Sequence, residues 1–240
     1  MRSIFMRPYL SFNLILCCVL FSISSQGYAQ RQYFTTPDYS WADLKNASLY
    51  LELFQGKRYF DNHRILNNKH KYFRDYELLE GSVIFDSDHY SKLQFKFDLH
   101  EQQIALYHPN SDGVTLIAID MNRVNAFKID GSIFVKHRID NQDFLLEYID
   151  TFLGKELWVY HQKTSSFRMD DKVGYYEFNP KETLFVFDNK GWQRSDTVKI
   201  EHFYPNWSST IKNWSKEWRT RKKTDASSYL KSLLNFLKST

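Results

Sequence analysis

The sequence predicts a mainly β protein: an antiparallel up-and-down meander, curled into a barrel, half-barrel or folded sheet, with a C-terminal helical segment. Three observations predict it. In "KLQFKFDL" the apolar Leu93, Phe95, Phe97 and Leu99 alternate with Lys92, Gln94, Lys96 and Asp98, the two-residue period of a strand with one buried face. The runs "IALYH", "VTLIAI", "VNAFKI" and "SIFVKH" follow, separated only by "PNSDG", "DMNR" and "DG", and links this short join antiparallel neighbours. The helical period of 3.6 is clearest near the C-terminus.

Taken in order, residues 1–29 read as a secretory signal peptide. Arg2 and Arg7 precede the apolar run "LILCCVLFSI", and "GYA" closes it with small residues at Gly27 and Ala29. The run is about half the roughly 20 residues that span a bilayer. Leu16 stands before Cys17, where a lipoprotein signal carries a small residue, so no lipid anchor is expected. Cleavage after Ala29 would remove Cys17 and Cys18, the chain's two cysteines, leaving no thiol and no disulfide. A cysteine-free exported chain reads as bacterial, periplasmic or outer-membrane associated.

Residues 30–195 are expected to form the β domain, opened by a short helix with Ser40 as its cap. "GSVIFDSDHY" reads as strand, turn, strand, and Asp130-Gly131 is a strong hairpin signal because both central positions of such a turn favour left-handed backbone. Further strands are expected at 144–149, 156–162, 173–178 and 183–188, for about nine to eleven in all, a number that tends to curl. Residues 196–240 are expected to pack as helices on the same domain. Trp207, Ile211, Trp214 and Trp218 recur at spacings of 4, 3 and 4, and Tyr229, Leu230, Leu233, Leu234 and Leu237 share one face of a last helix opening near Asp225. Net charge is +4 over the whole chain, but the tail holds 9 basic and 4 acidic residues.

The stretches "LFQGKRYFDN", "EGSVIFDSDHYSKLQFKFDLHEQQIAL" and "FLGKELWVYHQK", with "LFVFDNKGWQR" and the helical tail behind them, resemble a group of exported β-rich cell-envelope proteins of the Bacteroidota. No function is known for that group, so the resemblance implies a place in the envelope and no mechanism.

Little catalytic chemistry is legible. The seven glycines after residue 29 are widely spaced, which excludes Gly-rich phosphate loops, and there is no G-x-S-x-G and no H-E-x-x-H. His100 and His108 are candidates to face each other across a hairpin, though without a third ligand no metal is expected. "DSDH" lacks the later ligands and the glycine of a calcium loop and reads as a turn. Asp170 and Asp171 are adjacent, so an extended chain would point them to opposite faces. No cofactor is expected. The sharpest feature is the helix bearing Trp207, Trp214 and Trp218 on one side and Lys212, Lys216 and Arg219 on the other, a candidate surface for another envelope protein or an anionic membrane. It is also what a helix packed on a sheet looks like. Nucleic acid is not expected as a partner, nor a transmembrane segment in the mature chain. The expected function is therefore non-catalytic binding or scaffolding in the envelope. The alternatives are a carrier of an apolar ligand in a β cup, and a hydrolase whose carboxylates would have to converge in one cleft.

Overall fold

Four successive two-residue turns organise the second half of the chain. At Asp130-Gly131, Asp140-Asn141, Leu153-Gly154 and Asp171-Lys172 both central residues have positive φ, between 43° and 76°, the requirement of the hairpin turn that matches strand twist. They join β7 (Val124–Ile129), β8 (Ser132–Ile139), β9 (Gln142–Phe152), β10 (Lys155–Asp170) and β11 (Val173–Asp188), and β12 (Gly191–Ser195) closes that side of the sheet. The structure, a computed structural model, describes residues 38–40, 50–66, 68–108, 115–195, 199–218 and 225–240. The leader with its two cysteines, most of the helix expected after Ser40, and Arg219 lie outside the described residues.

The first half makes a second meander. β3 (Leu79–Phe85), β4 (Asp88–Asp98), β5 (Gln103–His108) and β6 (Thr115–Ala118) run side by side, and β2 (Lys57–Arg58) pairs with β6. β1 (Asp38–Ser40) adds a parallel pairing to His89–Ser91 of β4. The expected mainly antiparallel sheet is thus present and open, in the order 12-11-10-9-8-7-3-4-5-6-2. It departs from a simple meander once, because β7 returns to pair with β3. Between Ala118 and Val124 there are five residues, whereas β6 and β7 are four strand spacings apart, about 19 Å in a flat sheet. Five residues cover that only when extended, yet Arg123 N–H bonds the Asp120 carbonyl at 3.1 Å and closes a turn. The sheet must curl to bring those ends together.

The curl encloses the first core. Leu93, Phe95, Phe97 and Leu99, the alternating face of β4, are buried among Phe127, Phe134, Ile104 and Leu106. The Phe127 and Phe134 rings stack at 4.7 Å, with Phe97 and Phe73 edge-on to Phe134 at 5.3 and 5.1 Å. These rings pack the interior of the curl. The opposite face of β4 is not bare either: Tyr72 pairs with Asp98 in an antiparallel bridge at the end of the strand, Lys96 lies over Tyr76 and Tyr72, and Asp98 is fully buried.

A second core lies between β9–β11 and the tail. α1 is the short Tyr50–Leu53, α2 is Ser208–Glu217 and α3 is Ala226–Ser239. Tyr229, Leu230, Leu233, Leu234 and Leu237 of α3 are buried against Ile149, Leu157, Val159, Leu184 and Val186. Asp225 caps α3 by accepting the Ser228 amide at 2.9 Å. No helix among the described residues is long and apolar enough to cross a membrane.

β11 runs unbroken through Asn179-Pro180, where the sequence suggested two strands. Pro180 pairs with Lys163, and Tyr176 and Phe178 donate their amides outward to the Arg64 and Lys69 carbonyls. Amides two residues apart face the same way, so the donor that Pro180 lacks belongs to the outer edge and costs no ladder bond. The β10–β11 hairpin therefore extends past its neighbours as an arm, with Phe167 58% exposed near the tip. Phe134→Ala should lower stability by about 3–5 kcal/mol, whereas Phe167→Ala should cost within roughly 0.5. Urea unfolding midpoints check this, and equal midpoints would mean that the ring stack is not the centre of the core.

Candidate functional site

Period-two alternation places a polar layer between the two cores. On the inner face of β9, Leu145 joins the first core and Ile149 the second, with Glu147 between them. On β10 the same face reads Leu157, Val159, His161, Lys163, and His161 is paired across the hairpin with Glu182. Glu147 is fully buried, and four side chains converge on it. Ser132 donates at 2.6 Å and Lys231 at 2.9 Å to Oε1, while His161 Nε2 at 2.8 Å and the Ser227 hydroxyl reach Oε2. His161 Nδ1 meets Glu182 at 3.3 Å.

These contacts set the charges. Burial alone would raise the Glu147 carboxyl, but the hydrogen bond and charge of His161, with Lys231 and Ser132, outweigh it and hold the carboxyl well below the usual range. Burial alone would lower His161, but hydrogen bonds to Glu147 and Glu182 outweigh it and lift the imidazole to about 9. At neutral pH the pair is ionised.

His161 and Ser227 form part of the floor of a cleft of about 450 Å³. One wall is segment 68–74, with Asn68, Lys69, Phe73 and Arg74; the other is the arm, with Lys163, Phe178, Pro180 and Glu182; Asp225 closes one end. A second buried cluster holds the first wall in place. Lys71 lies 3.2 Å from Asp98 and 3.3 Å from Asp61, Tyr59 donates to Asp98 at 2.5 Å, and Tyr72 donates to Asp61 at 2.6 Å. Burial first, and those hydrogen bonds second, push both phenols far above their ordinary range. Asp98 also caps its own turn by accepting the His100 and Glu101 amides.

The residues singled out from sequence lie elsewhere. Trp214 stacks on Trp218 at 5.1 Å and on Phe236 of α3 at 4.7 Å, and Trp207 sits edge-on to Phe152 at 6.1 Å, all half-buried against the second core. Lys212 and Lys216 are exposed on the other side of α2. His100 sits in the β4–β5 turn, bonded to the Lys163 carbonyl, while His108 ends β5 against Phe54, so the two do not face each other. Asp86 pairs with Arg123 in a hairpin turn, and Asp170 and Asp171 are at the exposed tip of the arm. Among the described residues no group of three His, Cys, Asp or Glu is placed to hold a metal ion. Glu147, His161, Glu182 and Ser227 were not singled out, although a signal existed: Glu147 and His161 each fall on an inward position of an otherwise apolar alternation. Comparisons of the chain with protein-family models, with curated proteins and with solved structures find no match.

The polar layer has a pH signature. His161 is raised above its unfolded value of about 6.5, so its contribution to stability is full below that value and is lost as pH rises through about 9. Glu147 is depressed, so its contribution is present above about 4.5 and is lost in acid. Stability measured against pH should therefore be highest at about 5–6.5 and fall toward pH 9. Glu182→Gln should move the alkaline fall to lower pH. Glu147→Gln should cost about 3–5 kcal/mol, because His161 and Lys231 lose their shared counter-ion. A flat profile between pH 6 and 10 would show that the imidazolium does not contribute.

Proposed function

We propose that the protein is exported to the cell envelope and acts there as a non-catalytic binding protein, with the cleft at the root of the arm as its ligand site. Export is supported by the leader-like residues 1–29 and by the absence of cysteine after residue 18. The observation that carries the binding reading is the state of His161. Its two ring nitrogens face Glu182 and Glu147 at 3.3 and 2.8 Å, so it is charged and locked and has no lone pair with which to accept a proton. A concave site with fixed charges and apolar walls, whose histidine is committed to two carboxylates, suits holding a ligand rather than cleaving one.

A hydrolase is the second reading, because carboxylates and a histidine do converge here and Ser227 Oγ lies 3.2 Å from His161 Nε2, the spacing of a nucleophile and its base. The proton inventory opposes it. The Ser227 hydroxyl donates to Glu147, and His161 donates to the same carboxylate instead of accepting from serine. Hydrolysis of p-nitrophenyl acetate should therefore be no faster than with Ser227→Ala. Small molecules that co-purify from envelope extract and are identified by mass spectrometry should be lost from Pro180→Trp, which fills the cleft from a position with no ladder bond to lose. Turnover abolished by Ser227→Ala would replace this reading with the enzymatic one. Capture unchanged by Pro180→Trp would move the site elsewhere.

A further inference from the structure

We propose that the ligand is a hydroxyl-bearing anion, a sugar acid or sugar phosphate, whose carboxylate or phosphate group sits on the Lys163 ammonium. The inference rests on the cleft being the ligand site and follows from pairing every charge that lines it. His161 lies between Glu147 and Glu182. Lys69 pairs with Glu177 at 3.0 Å, and Arg74 pairs with Asp130 while also bonding Ser132. Asp225 is spent on the N-terminus of α3, where a negative charge is favoured by the helix dipole. Lys163 is what remains. Its ammonium donates to the His70 and Tyr72 carbonyls, both at 2.8 Å, and among the described residues no carboxylate lies within 4.0 Å of it. An ammonium has three hydrogens, so one is left for the cleft.

The surroundings make that unpaired charge matter. Leu99, Phe73, Phe178 and Pro180 line the same cleft, and a charge beside apolar walls gains more from a counter-ion than one in water. Burial has already lowered the Lys163 ammonium to about 8, with the more distant Asp98 opposing only in part. The two carbonyls fix its position without neutralising it. They stitch segment 70–72 to the arm, so the donor is held in place before any ligand arrives. The rest of the lining sets the rest of the ligand. Glu182 and Asp225 each engage one carboxylate oxygen in the contacts named above, and a second carboxylate oxygen accepts from hydroxyls but repels another anion. Asn68 adds an amide to the same lining. One anionic group and a hydroxyl-rich body meet both requirements, and about 450 Å³ suits a molecule of one or two sugar rings.

Calorimetric titration of the full chain with D-glucuronate, glucose 6-phosphate, inorganic phosphate and D-glucose at constant ionic strength tests this. The two sugar anions should bind at least tenfold more tightly than glucose, and phosphate alone should fall between. The preference between glucuronate and glucose 6-phosphate tells which anionic group the cleft is built for. Lys163→Met should reduce sugar-anion binding at least tenfold, and Lys163→Arg should keep most of it. Lys163→Met also removes both bonds to segment 70–72, so NMR of the Lys163 ε-carbon in the unmodified protein supplies the second readout: its titration midpoint should rise when glucuronate is added. Glucose binding as tightly as glucuronate, with both lost in Pro180→Trp, would overturn the anion assignment and keep the cleft. Sugar anions binding undiminished to Pro180→Trp would overturn the cleft itself. No sugar-anion binding, or an unmoved Lys163 midpoint, would overturn the inference outright.

Discussion

The buried carboxylate of Glu147 is the constraint on which the rest of this structure depends. It stands in β9 where the first core ends and the second begins, and it takes donors from β8, β10 and α3 through Ser132, His161, Ser227 and Lys231. A carboxylate taken out of water costs several kcal/mol unless its oxygens are satisfied. Each partner is thereby held to one geometry. α3 cannot slide along the second core without taking Ser227 and Lys231 away from Glu147, whereas apolar contacts among Leu230, Leu233 and Leu234 would tolerate a shift far better. The apolar layers supply the stability, and Glu147 supplies the register.

That division explains what could be read in advance. Strand alternation and turn chemistry are local, so the run of hairpins through Asp130-Gly131, the inward face of β4 and the buried stripe of α3 were all legible. The return of β7 to β3 was not, because it follows from a curl and a five-residue link rather than from any one strand. The strands expected at 173–178 and 183–188 are one strand that passes through Pro180, although proline commonly interrupts a ladder. Whether it does so here depends on which edge the missing amide faces, a matter of tertiary position.

The site was less legible than the fold for the same reason. His161 and Glu182 are 21 positions apart and Ser227 is 66 beyond His161, and only the β10–β11 pairing and the docking of α3 bring them together. No spacing rule spans such distances. The tryptophans drew attention because four aromatic or aliphatic residues on one helical stripe stand out in any sequence. Their rings meet Phe152 and Phe236, which makes the stripe part of the packing that seats α3 and hence part of what positions Ser227.

The cleft inherits its rigidity from two buried ionic clusters that share no residue. Asp98 with Lys71 anchors one wall, Glu147 with His161 anchors the floor, and Lys163 donates across the gap to the backbone of the first wall. Well-packed hydrophobic residues in either cluster would serve stability as well or better. What they would not do is hold polar groups at fixed positions around a space left open. Retaining charges at this depth makes physical sense where the fold must keep a cleft from collapsing, because every inward motion of a wall would have to break a satisfied ion pair before it gained an apolar contact.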